Sequence, residues 1–211
     1  GYIRCGLADV KDEESDSIVE EVLRKVQEGG EIDKDLRVIY WNNPEELPGL
    51  LIDQITRDME RDTGLDDNPD RAYELWRKAF DGQPEKSQVL TPYRGELFGI
   101  EALNAAIQKH ISQGMLDKVG ALGGITLFDK VIQIRNRPRS DMAYAYNAKA
   151  KKSERVEIFN GELGFVKPHG FDGSGWKWKD DFGLKHFQVV FSRKQDLWVN
   201  YGSKLGQCDN G

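Results

Sequence analysis

The sequence predicts an α/β region followed by a small all-β module. Three observations predict it. Apolar residues recur with a helical period through the first half and alternate after about residue 125. Turn signals crowd the second half at short intervals. Charge divides in the same place. Residues 1–125 hold 15 Lys and Arg against 26 Asp and Glu, a net of −11, whereas residues 126–211 hold 15 against 10, a net of +5. Such a split points either to two units with different partners or to two solvated charged faces. The boundary is expected near Ser112–Gly124, giving regions 1–124 and 125–211.

The acidic region is predicted to be helical, with short strands near 36–41 and 87–92. "DEESDSIVEEVLRKVQEGGE" opens with acids and Ser, which suit the positive end of a helix dipole. Ile18, Val22 and Val26 recur every fourth residue with Val19 and Leu23 beside them, and Gly29-Gly30 ends the run. "DLRVIYW" (35–41) is β-rich. Asn43 is placed as the cap of the next helix, with Pro44 at its first position and Pro48 in its opening turn. The Asn-Pro start repeats at Asn68-Pro69, ahead of Leu75, Trp76 and Phe80 as residues for burial. "SQVLTPY" (87–93) reads as a strand broken by Pro92. "GIEALNAAIQKHISQ" reads as a helix with Ile100, Leu103, Ile107 and Ile111 on one face.

The basic region is predicted to hold short strands in a small barrel or sandwich. "LFDKVIQIRNRP" alternates up to Pro138, and "LKHFQVVFSR" and "DLWVNYG" are joined by "KQD". "RVEIFNGELGFVKPHG" reads as strand, tight turn and strand, because Asn160-Gly161 between apolar runs is a strong hairpin signal. "RSDMAYAYNAKAKKSE" is expected to be a long loop, and "GFDGSGWKWKDDFG" a second one. In the latter, Trp176 and Trp178 are either core or an exposed stacking platform.

At 38% hydrophobic and 31% charged, the 211 residues suit a polar globular protein. No apolar run of about 18 residues predicts a membrane span. The opening "GYIRCGLADVKDEE" reads as something other than a secretory leader, so a cytoplasmic location is expected. Cys5 and Cys208 are expected as free thiols, and His110, His169 and His186 lack metal-ligand spacing. No Ser/His/Asp or Cys/His arrangement suggests a self-sufficient hydrolase.

Four stretches in order carry a resemblance. They are Leu90-Thr91-Pro92 with Arg94-Gly95; Leu103-Asn104 with Gln108; Asp129, Val131, Gln133 and Asn136; and Phe159-Asn160-Gly161-Glu162 with Gly164. This pattern resembles the RecD-like branch of superfamily 1 ATP-dependent DNA helicases, the exonuclease V alpha-subunit type. The resemblance implies part of a second RecA-like α/β motor domain, followed by an inserted Src-homology-3-like barrel. It also implies ATP and magnesium in a larger parent, and single-stranded DNA and the parent's other domains as partners. The chain departs from the family in lacking Gly-x-x-x-x-Gly-Lys-Ser/Thr, the Asp-Glu magnesium pair and the later His-Lys-x-Gln-Gly and Thr-Arg-Ala segments. A fragment inactive in ATP hydrolysis by itself is therefore expected.

Site residues follow from the same resemblance. Arg94, at the C-terminal end of a strand, is the candidate catalytic residue, steadying charge on a transferring phosphoryl group, or else a surface arginine. Gln88, Thr91, Tyr93 and Gly95 join it as candidate nucleotide contacts, or hold the loop. Asn104 and Gln108 share a helix face and either reach DNA or cap neighbouring loops. Arg135, Arg137, Arg139, Lys149, Lys151, Lys152 and Arg155, interleaved with Tyr144 and Tyr146, form either a strand-gripping cluster or a solvated loop. Asn136 and Asn160 are candidate nucleic-acid contacts or turn residues. The rival expectation is a non-catalytic adaptor whose β-module binds protein.

Overall fold

The computed structural model describes residues 13–34, 36–68, 72–168, 179–180 and 183–202. The expectations for Cys5, Cys208, His169, Trp176 and Trp178 lie outside the described residues. The chain divides after Leu47 into two compact units. The boundary expected near 112–124 falls inside the second of them.

In the first unit, helix α1 (Glu13–Glu28) stops where expected. Gly29, at φ 76°, gives its N–H to the carbonyls of Lys25 and Val26 at 3.0 and 3.3 Å. That left-handed closing position favours glycine. A short antiparallel hairpin follows, β1 (Gly30–Asp33) with β2 (Leu36–Val38). The β-rich run thus stops pairing at Val38, and Tyr40 turns back to donate its hydroxyl to the Val26 carbonyl at 2.6 Å. The stripe on α1 is only partly covered: Val22 and Leu23 stay exposed. Ahead of the next helix, Asn43 sits at the capping position but makes no side-chain cap bond; its amide donates to Glu46 instead.

Helix α2 (Leu47–Thr63) leads into the second unit, followed by α3 (Ala72–Phe80) and α4 (Ile100–Val119). Residues 69–71, where α3 was expected to start, lie outside the described residues. Met59, Leu75, Ala79 and Phe80 bury one small core. The strand expected over 87–92 does not form. A strand needs a ladder partner for its N–H and C=O groups, none pairs here, and Pro92 has no N–H to offer. The segment instead folds back onto α4. The carbonyls of Tyr93 and Arg94 accept the N–H groups of Ile100 and Glu101 at 3.0 and 3.3 Å. Gly99 is required at this fold: a Cβ there would lie 1.7 Å from the Gly95 carbonyl oxygen.

The β-module is one antiparallel six-stranded sheet, ordered β3 (Lys130–Ile132), β6 (Leu163–Pro168), β9 (His186–Phe191), β10 (Leu197–Gly202), β4 (Ala143–Asn147), β5 (Lys152–Val156). A two-residue pair, β7 (Lys179–Asp180) with β8 (Gly183–Leu184), lies between β6 and β9 in sequence. The expected β9–β10 hairpin is present. The expected loop 139–154 is instead largely the β4–β5 hairpin. The ladder does not close into a barrel, since β3 and β5 are its edges. Beyond those edges a single bridge joins Arg137 and Ile158 through hydrogen bonds of 2.6 and 3.1 Å.

The Asn160-Gly161 turn also departs from expectation. Its flanking strands β5 and β6 do not pair with each other. A type I′ hairpin needs positive φ at both central residues, and only Gly161 (φ 89°) has it. The turn is claimed by the end of β3 instead. Gly161 donates to the Gln133 carbonyl at 2.8 Å, and Gln133 donates to the Glu162 carbonyl at 2.9 Å. Cross-strand partners Val166, Val189, Val199 and Ala145 form one inward row, each at most 2% exposed. They make the main core with Val119, Leu127, Ile158, Phe187 and Phe191.

Candidate nucleic-acid interface

Because side chains alternate across a strand, the residues paired with that inward row's neighbours face outward. The register places Lys130, Phe165, Val190, Trp198, Tyr146 and Ser153 in one row across six strands. Five inter-strand steps make that row roughly 24 Å long. The adjoining positions hold Lys167 opposite Gln188, Gln188 opposite Asn200, and Tyr144 opposite Arg155. At the β3–β6 end, Phe80 of α3 covers Phe165, with ring centroids 5.3 Å apart. From β9 to β5 the face holds Trp198, Tyr146, Tyr144 and Arg155 among the uncharged Val190, Gln188, Asn200 and Ser153.

Contacts along it are specific. The Lys167 ammonium lies 3.4 Å from the centre of the Trp198 ring. Burial lowers the pKa of Lys167 from the usual lysine value. Trp198 and Tyr146 lie 5.6 Å apart. The Arg155 guanidinium sits 4.9 Å over Tyr144 and donates to its hydroxyl at 2.7 Å. Gln188 is 4% exposed and gives its amide N–H to Asn200 at 2.9 Å, while its Oε1 has no partner among the described residues.

The expected basic cluster is separated by the hairpin. Lys149 and Lys151 occupy the β4–β5 tip and Lys152 starts β5; all three are exposed. Arg135 and Arg137 lie at the other end of β4, on the order of 13 Å away along the strand, with Arg139 in the turn before it. Arg137 is engaged by Asp141 at 3.3 Å. Of the six whose side chains are described, Arg155 alone stands among the outward aromatics.

The motif residues are mostly bonded within the fold. Gln108 donates to Asp129 at 2.5 Å and to the Gly124 carbonyl at 2.9 Å. Asp129 also accepts from Ser112 at 3.1 Å and from the Thr126 N–H at 2.8 Å. Burial outweighs these three donors and raises the Asp129 pKa. The Asn136 side chain accepts the Asn160 N–H at 2.7 Å, and Gln133 accepts the Tyr201 hydroxyl at 2.8 Å. Glu162 takes the Phe159 N–H at 3.0 Å and Lys194 at 2.5 Å. Gly164 is dictated by packing: a Cβ would meet Val189 and the Val190 carbonyl at 2.7 Å.

The candidate nucleotide contacts fall in two places. Thr91 donates its hydroxyl to the Phe98 carbonyl at 3.0 Å and accepts the Tyr93 N–H at 3.3 Å. Tyr93 packs edge-on against Phe98 at 4.9 Å. Arg94 and Gly95 are exposed on the same loop. Gln88 lies apart, lining a cleft with Asn104 and Gln108. Sequence reasoning missed Trp198 and Lys167 as site residues; the alternation in "DLWVNYG" and "GFVKP" is the signal that places both outward. No protein-family model, curated protein or solved structure matches the chain.

Proposed function

We propose that this chain is the strand-gripping part of a RecD-like ATP-dependent translocase, and that its outward sheet face binds single-stranded DNA. The observation that carries the reading is the row of Trp198, Tyr146 and Tyr144 flanked by Lys167 and Arg155. Aromatic faces accept stacked bases of any sequence, and the cations neutralise phosphates beside them. A motor that moves along DNA needs that indifference to sequence. The edge-to-edge bridge of Arg137 with Ile158 agrees with a sheet curling toward an Src-homology-3-like module.

Residues 88–95 do not by themselves fit ATP. The Thr91 hydroxyl and the first N–H groups of α4 are already bonded, and no phosphate-binding Gly-Lys-Ser/Thr loop is in the sequence. ATP and magnesium belong, in this reading, to the parent enzyme. Arg94 is exposed and makes no ion pair among the described residues, which leaves it available to a phosphate brought by other domains.

The test is fluorescence anisotropy of a labelled oligothymidine with the whole chain. If three cations engage phosphates, affinity falls about 20-fold between 50 and 200 mM salt. The adaptor reading draws on the exposed Leu90, Tyr93 and Leu97 of the loop before α4. Absence of oligonucleotide binding at low salt would favour it. No helix among the described residues is long and apolar enough to cross a membrane.

A further inference from the structure

Beside the sheet face lies a second recognition element. Helices α3 and α4 and the outward side of β3 and β6 enclose an open cavity of about 1060 Å³. That is ample for a small organic ligand. Half-buried Trp76 lines the cavity, stacked at 5.9 Å on the buried Phe80, which meets Phe165 edge-on at 5.3 Å. Flat aromatic walls favour a planar guest.

The polar groups on the walls set the rest of its chemistry. Gln88 and Asn104 line the cavity, are exposed, and make no side-chain hydrogen bond among the described residues. Each offers an N–H donor and a carbonyl acceptor, which suits the hydrogen-bonding edge of a base. The Lys130 ammonium reaches the Ser87 carbonyl at 2.6 Å and lies 5.2 Å from the Phe80 ring. Burial lowers the pKa of Lys130, as it does that of Lys167, which also lines the cavity. Arg77 is the third cation. Against these stand Glu74 and Asp129, and Asp129 is already turned toward Gln108, Ser112 and Thr126.

We propose that this cavity binds a nucleobase together with its phosphate, the base against Trp76 with its edge read by Gln88 and Asn104, and the phosphate beside Lys130 and Lys167. The guest is either a free nucleotide or one residue of a strand on the neighbouring face. Lys167 touches both sites, since it lines the cavity and lies over Trp198. The choice of a nucleotide rests on the strand-binding reading; the pairing of an aromatic wall with lining cations does not.

The experiment is ¹⁵N NMR of the whole chain, reading the Trp76 indole N–H, assigned through Trp76→Phe. The probes are adenosine and thymidine 5′-monophosphates, inorganic phosphate, and an eight-residue oligothymidine. Both monophosphates, or one, move the Trp76 indole saturably, and inorganic phosphate does not. Lys130→Gln weakens that binding about tenfold. Ala105→Trp, which fills the cavity from α4, abolishes it while the rest of the spectrum stays folded. A Trp76 indole unmoved by monophosphates and oligonucleotide, or moved equally by phosphate alone, overturns the proposal. If the oligonucleotide binds and shifts Trp198 but never Trp76, the cavity assignment fails and the strand-binding reading stands. If monophosphates shift Trp76 and the oligonucleotide binds at no salt concentration, the reverse holds.

Discussion

Replacing Gln108 with Ala separates a structural role from a DNA-contacting one. The side chain spends both amide hydrogens inside the fold, one on the buried Asp129 carboxylate and one on the Gly124 carbonyl. A hydrogen bond to a charged group contributes about 1.5–3 kcal/mol and a neutral one about 0.5–1.5 kcal/mol. Gln108→Ala is therefore expected to cost about 2–4 kcal/mol. With a urea m-value of about 2 kcal/mol/M, the unfolding midpoint falls by about 1–2 M. The loss carries a pH signature. Burial already holds the folded-state pKa of Asp129 above its ordinary value, and Gln108 is one of the donors pulling it down. Removing that donor raises it further. A carboxyl whose folded pKa exceeds its unfolded one binds protons more readily when folded, so stability falls as pH rises through that window. The deficit of Gln108→Ala is smallest in acid and grows toward pH 7. Urea titrations from pH 4 to 7, with oligothymidine anisotropy on the same variant, decide the matter. A loss below about 1 kcal/mol together with a collapse in oligonucleotide affinity would refute the assignment of Gln108 to the scaffold.

Other outcomes follow from single contacts. Asp129→Asn keeps the acceptor facing Gln108 and lets the Ser112 hydroxyl turn to accept; its stability relative to the wild type therefore improves as pH rises, measured by the same titrations. Gly164→Ala forces a methyl against β9 and costs about 1–3 kcal/mol by urea unfolding, as overpacking does; an unchanged midpoint would show that the strands separate freely. Trp198→Ala weakens oligothymidine binding about 5- to 140-fold, the worth of one stacked base, whereas Arg94→Ala leaves the affinity of this chain within about twofold. Leu75→Ala, at a position 2% exposed, costs about 2–5 kcal/mol through the cavity it leaves; a smaller loss means that α2 and α3 collapse into the space.

Helices were legible because their information is local. The i, i+4 spacing of Val22 and Val26 and the stop at Gly29 suffice for α1, and Ile100 to Ile111 suffice for most of α4. The β9–β10 hairpin was legible for the same reason, two alternating runs around a short turn. Strand β4 was missed although Ala143, Tyr144, Ala145 and Tyr146 alternate strictly. Alanine is a weak mark of burial, and only the core shows that both alanines are fully covered. The strand expected at 87–92 failed in the opposite way: Val89, Leu90 and Thr91 have strand propensity, but propensity without a ladder partner makes no strand.

The candidate surface was legible in composition and not in place. Arginine, lysine and tyrosine interleaved between 135 and 155 suggested a strand grip, yet the hairpin carries most of those cations to opposite ends. It leaves Tyr146 against Trp198, with Arg155 over Tyr144 on its own two strands. The sequence by itself determined the helices, the alternating runs and the charge of each half, because these depend on neighbours within a turn or two. The tertiary structure alone decided which strands pair, that Asn160-Gly161 belongs to β3 rather than to a hairpin of its own, and that Lys167 lies over Trp198. Backbone pairing is indifferent to side-chain identity, so register and strand order emerge only when distant runs compete to bury one shared core.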